Sequence, residues 1–248
     1  ETLEVSLKIN DLKSAGTILR GLGLVEINRK NWVKSQDYFK KALSYHQKSE
    51  HRPAYESTTL FLGVAYFYSK DYELAEKFIN KAVQITDRRK NVSFYGNTAK
   101  AVRIMILSKQ GKANETDVDE IFDMIELSKS TVQVAREYWY LSQSYLFLDL
   151  KKKHEDCLNK SRITLDVISK QISNKEYRND YLSKPLIHQL ISGKVKNLNK
   201  EKQIIVEDKD LKIQNSNELE VFAFCPNCGF KNLNKFKFCP QCGTSLNS

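Results

Sequence analysis

Leu62-Gly63-Val64-Ala65-Tyr66-Phe67-Tyr68-Ser69-Lys70-Asp71-Tyr72-Glu73-Leu74-Ala75 decides the architecture, because the chain states much of it twice. Forty positions earlier stand Leu22-Gly23, then Lys30-Asn31-Trp32, then Ser35; Ala42-Leu43 likewise precedes Ala82-Val83 by forty. The spacing inside each unit has a physical reading. A Leu-Gly step leaves no side chain at its second position, so one helix can approach its partner closely. A turn follows, and an aromatic opens the next helix. Ser35 and Ala42, like Ala75 and Ala82, lie seven apart on that second helix, where small residues let neighbouring helices touch. Each unit is therefore expected to be an antiparallel helical hairpin.

Working outward, two weaker units follow. Val102 to Lys129 reads as a helix ending near Gln110-Gly111, a loop, and a helix from about Thr116. Gln133 to Lys170 reads as another pair, with Leu141-Ser142 and Tyr145 in its first helix and Ser161 late in its second. Leu141 lies 79 residues after Leu62, close to two periods. A last helix, about Asn174 to Ile191, reads as a cap bent at Pro185 and stopped by Gly193. Applied backwards, the offset places Thr2-Leu3 where Ala42-Leu43 fall, so residues 1–13 read as the end of a preceding unit. On that reading the chain continues a longer protein; an independent N-terminal helix is the alternative.

This pattern resembles the tetratricopeptide repeat. Leu62, Gly63, Tyr66, Ala75 and Ala82 occupy the family's consensus places, whereas the first unit has Glu26 for the aromatic and Ser35 for the first Ala. The period exceeds the family's usual length of about 34 residues, and the extra length is expected between units, around Gln47–Pro53. The longer form resembles repeats in the sensor regions of large prokaryotic signalling proteins. The resemblance implies an all-α fold, a right-handed superhelix whose concave wall is lined by the first helix of each pair. In the family's register the wall takes Arg20, Leu24 and Ile27 from the first unit. Leu60, Val64, Phe67 and Tyr68 continue it in the second, and Trp139, Gln143, Leu146 and Phe147 in the fourth. A mostly apolar wall fits an amphipathic helix or an extended apolar peptide of a partner better than a carboxylate clamp. The competing reading is that these side chains pack between helices or lie under the last helix or tail.

The C-terminal residues carry a second duplication, Phe224-Cys225-Pro226-Asn227-Cys228-Gly229 and Phe238-Cys239-Pro240-Gln241-Cys242-Gly243. Two C-x-x-C pairs supply the four thiolates of a tetrahedral Zn²⁺ site, and a two-residue gap lets both sulfurs of a tight turn reach one ion. Cys225, Cys228, Cys239 and Cys242 are thus the expected ligands of one structural Zn²⁺; two disulfides or free thiols are the alternative. So short a segment cannot bury enough apolar surface to fold unaided, whereas structural zinc contributes on the order of 10–16 kcal/mol. The segment resembles a zinc ribbon. Four protein ligands leave no open position for a catalytic water.

The expected organisation is a helical-repeat domain over 1–192, a linker over 193–220 and a zinc ribbon over 221–248. Within the linker, Ile204-Ile205-Val206 could pair with Leu211–Ile213 as a short hairpin. Nine Gly and four Pro in 248 residues leave few breakers, which favours helices. No apolar run approaches the roughly 18 residues that span a membrane, so no membrane partner is expected. Zinc thiolates beside one further thiol, Cys157, fit a reducing, cytoplasmic setting, with Cys157 itself expected as a small buried hydrophobe.

His46, His51, His154 and His188 are scattered without partners at catalytic or ligand spacing, and Gly21-Leu22-Gly23 lacks the rest of a phosphate loop. The chain therefore reads as a non-catalytic interaction scaffold, its groove holding a protein or peptide partner and the ribbon serving as a second docking module. The alternative is a nucleic-acid-associated regulator. A net charge of +10 and Lys231, Lys235 and Lys237 in the ribbon permit it, but the lysine excess is scattered rather than clustered.

Overall fold

Periodicity shows first in the helix boundaries. The computed structural model describes residues 2–88, 94–128 and 133–194, and the backbone of 222–224 and 231–233. After α1 (Thr2–Lys8) come α2 (Leu12–Asn28), α3 (Trp32–Lys48), α4 (Arg52–Tyr68) and α5 (Tyr72–Asp87), and from α2 on each starts twenty residues after the one before. Every connection ends a helix in the same way. Asn10, Lys30, Glu50 and Lys70 take positive φ, between 52° and 67°. The next amide then reaches back five residues: Asp11 to the Ser6 carbonyl, Asn31 to Glu26, His51 to His46 and Asp71 to Tyr66, at 2.8–3.0 Å. These are Schellman closures made without glycine.

The forty-residue period is thus carried by helices of 16 or 17 residues. The extra length expected in a connection around Gln47–Pro53 is helical instead, since α3 runs to Lys48 and α4 begins at Arg52. Pro53 does not prevent this, because it sits in the first turn of α4, where its missing N–H has no helical partner to lose.

Packing explains the repeated small residues. Ser35, Ala42, Ala75 and Ala82 are all 0 % exposed. A Cβ on Gly23 would stand 2.5 Å from the Phe39 ring, and one on Gly63 would stand 2.7 Å from the Ile79 side chain. Phe39 and Ile79 are themselves forty apart, so both hairpins close on the same glycine-to-large-residue contact. Where the second unit stacks Tyr66 on Phe78 at 5.5 Å, the first places Glu26, buried and ion-paired to Arg29 at 3.0 Å.

The third pair is looser. α6 (Gly96–Lys109) packs chiefly against α8 (Val134–Phe147), and only lightly against its sequence neighbour α7 (Glu115–Glu126). A buried tie fixes the larger contact: the Thr98 hydroxyl donates to Glu137 Oε1 at 2.7 Å, and burial raises that carboxyl's pKa. α7 starts on a full capping box, Asn114 with Asp117, yet a cleft of about 510 Å³ opens beside it, floored by Ile104 and Leu107. The fourth pair closes tightly. In α9 (Lys151–Lys170) the Cys157 thiol donates to the Tyr138 carbonyl at 3.2 Å and the Ser161 hydroxyl to that of Ala135 at 2.5 Å. Cys157 is buried, which pushes its thiol up to about 12.

The single bent helix expected over Asn174–Ile191 is two helices, α10 (Lys175–Ser183) and α11 (Leu186–Ile191). Pro185 adopts ψ 128° at the N-cap of α11, so the chain breaks there rather than bending. Gly193, at φ 73°, ends α11 as expected. Ile205–Ser248 form a second compact unit. In it β1 (Phe222–Phe224) pairs antiparallel with β2 (Lys231–Leu233), Phe224 opposite Lys231. The stretches 204–206 and 211–213 lie outside the described residues. No helix among the described residues is long and apolar enough to cross a membrane.

Candidate functional site

The residues expected on the wall lie on α2, α4 and α8, and they differ in burial. Ile27, Leu60, Val64 and Trp139 are at most 8 % exposed and belong to the core. Leu24, Phe67, Tyr68 and Phe147 are half-buried, packed on that core with one side left open. Leu146 is 43 % exposed. Arg20 ties α2 to α4, its Nη1 donating to Ser57 Oγ at 2.9 Å. Gln143 Nε2 donates to its neighbour Ser142 Oγ at 3.2 Å.

The half-buried aromatics lie at the C-terminal ends of α4 and of α8. Tyr68 stacks on Trp32 at 5.1 Å, Phe67 meets Tyr72 at 5.7 Å, and Lys109 Nζ lies 4.7 Å from the Phe147 ring centre. Such rings offer large area with little side-chain entropy to lose on binding.

The last helix among the described residues meets two of these first helices. α11 packs on α8 and α9, and the Leu186 amide donates to Asn28 Oδ1, at the end of α2, at 2.9 Å. Leu186, His188 and Ile191 are 1 %, 2 % and 0 % exposed, whereas α10 buries no residue. Arg162 Nε donates to the Ile191 carbonyl at 3.1 Å. Burial lowers His188 to about 4 even though its Nδ1 lies 2.6 Å from the Tyr181 carbonyl. Burial also pushes Tyr68 well above its usual range and Tyr140 up to about 12. The Arg136 charge on α8 acts to lower all three, and Tyr181 as well.

Asn28, Arg136 and Arg162 were not legible as site residues. A polar residue at a helix end and two arginines in mixed-charge helices carry no periodic signal. Leu186 and Ile191 did carry one, the apolar burst after Pro185.

In the second unit, pairing Phe224 with Lys231 makes residues 225–230 the connection between the strands, and that connection carries Cys225 and Cys228. A C-x-x-C pair in the sequence between two paired strands fits a metal that takes sulfur ligands. The four cysteines themselves lie outside the described residues.

Comparison with known families agrees with both geometries. Residues 14–88 match the tetratricopeptide repeat, and residues 224–246 match the zinc-ribbon domain. The chain carries tetratricopeptide repeats and a zinc ribbon. The match over 14–88 spans α2 to α5, the pairs with the regular twenty-residue spacing. No curated protein matches the chain in sequence. Tetratricopeptide repeats generally mediate contacts between proteins, and zinc ribbons are metal-stabilised modules.

Proposed function

We propose that this protein is a non-catalytic interaction scaffold: its repeats hold a segment of a protein partner, and its ribbon supplies a second docking module. The observation that supports this most is the half-buried aromatic set, Phe67, Tyr68 and Phe147, carried at the ends of the first helices of the repeats. In this reading Arg20, Leu24, Leu60, Val64, Trp139 and Gln143 back or border the bound segment. Cys225, Cys228, Cys239 and Cys242 hold one Zn²⁺ whose role is to fold the ribbon. Zinc thiolates and the buried thiol of Cys157 fit the cytoplasm.

The test is capture of a partner from native extract by the full chain. Phe67→Ala with Phe147→Ala should lower the captured amount at least tenfold while the circular dichroism stays unchanged. Retention indifferent to both substitutions would remove the repeats from the binding. Retention that collapses with modest added salt would instead point to phosphate contacts and a nucleic-acid partner.

A further inference from the structure

We infer that residues 185–191 are an internal ligand of the repeats, and that the outside partner of this face is a protein segment of the same chemistry. That chemistry is one short helical stretch with wholly buried apolar side chains at its first and sixth positions and partly buried ones at its second and fifth. The inference rests on the scaffold reading and names the kind of segment the scaffold takes.

Three features of α11 carry it. The helix has six residues, too few to persist in water without a supporting surface. Its two apolar ends, Leu186 and Ile191, and its central His188 are almost wholly buried. Both of its backbone ends are held by side chains from the repeats. Asn28 Oδ1 accepts the Leu186 amide at 2.9 Å, and Arg162 Nε donates to the Ile191 carbonyl at 3.1 Å. These bonds read a helical stretch by its backbone, so any segment of that shape can satisfy them, and the two apolar positions set the preference.

The tether permits exchange. Pro185 breaks the chain before α11, and α10 has no wholly buried residue, so α11 can leave, taking Leu186 and Ile191 out of the core, while the helices of the four pairs remain. A tethered segment acts at an effective concentration on the order of millimolar. An outside segment of equal intrinsic affinity therefore binds the intact chain far more weakly than a chain whose own segment is disabled.

The experiment uses a fluorescein-labelled peptide of residues 184–194, titrated into the full zinc-loaded chain and into the full chain carrying Leu186→Asp and Ile191→Asp, with anisotropy as the readout. The expected result is saturation at a concentration at least tenfold lower for the double variant. Equal binding to both, or no binding to a double variant that retains its helix content and cooperative melting, overturns the inference. Hydrogen exchange on the unsubstituted chain supplies a measurement that no misfolded variant can cloud. Amides of 186–191 should exchange at least tenfold faster than those in the middle of α8, while protection equal to α8 would make α11 a fixed part of the core and overturn the inference. Loss of peptide binding with partner capture intact rejects only the internal ligand; loss of capture rejects the scaffold reading.

Discussion

Two glycines on one helix ask opposite things of a side chain. Gly21 faces open space, with nothing within 4 Å of a built Cβ, while Gly23 lies against the Phe39 ring, which is 0 % exposed and has nowhere to move. Gly21→Ala should therefore stabilise the chain by about 0.5–1 kcal/mol through helix propensity alone. Gly23→Ala should destabilise it by about 1–3 kcal/mol through overpacking; urea unfolding of both variants checks the difference in sign. The second glycine was legible because Gly63 repeats it forty residues later.

His46 was not legible. Its spacing continues the face of Ser35, Phe39 and Ala42, but a histidine there reads equally as a surface residue; it is 0 % exposed and neither ring nitrogen has a hydrogen-bond partner. Burial, then the charges of His51 and Arg20, lower it to about 4; burial lowers His188 likewise, with Arg136 adding to the effect. In both cases the folded pKa lies below the ordinary value near 6.5, so the unfolded chain binds the proton more readily. Stability is then full above about pH 6.5 and is lost as pH falls toward 4, by on the order of 1–2 kcal/mol per histidine at pH 5. Melting curves from pH 7.5 to 5 should show this fall. His188→Leu should flatten it without removing it.

At the scale of the element, helix ends carry the period more faithfully than helix faces do. Lys70 and Asp149 take φ of 67° and 58° at the closures that follow α4 and α8. A β-carbon is costly there, so Lys70→Gly and Asp149→Gly should each stabilise the chain by about 1 kcal/mol, read as a higher urea midpoint at unchanged slope. Because Asn, Lys, Glu and Asp stand where glycine commonly would, composition could not reveal the twenty-residue spacing. The Leu-Gly steps and small residues instead revealed forty. Those same residues located the hairpins but could not decide where the extra length went, since Pro53 reads equally as a loop residue or as the first turn of a helix. The looseness of α7 was beyond reach for another reason. Its capping box and amphipathic face are sound locally, and only the tie between Thr98 and Glu137 shows that α6 has turned to α8.

At the scale of the molecule, the chain divides into a helical unit and a ribbon unit whose stabilities should separate. Native mass spectrometry of the full chain should find one zinc ion, lost in Cys228→Ser. Chelation should leave the helical circular dichroism and its melt in place while abolishing protection of the amides that pair Phe222–Phe224 with Lys231–Leu233. A helical melt that collapses with the metal would show the repeats to depend on it. The ribbon was legible because ligand chemistry fixes residue type and spacing together. The concave face was only half legible, since a register tells which side chains line it but not how deeply they sink or what lies over them.

The bond between Leu186 and Asn28 spans 158 residues and ties the last helix to the first full pair. An open stack of hairpins can gain or lose a member at little cost, because each touches only its neighbours. Here α11, while docked, ties α2 to the last pair, and a hairpin inserted between them would carry Asn28 out of its reach. The number of hairpins between α2 and α11 is therefore matched to the span that α11 bridges, and an insertion among them would have to be matched there.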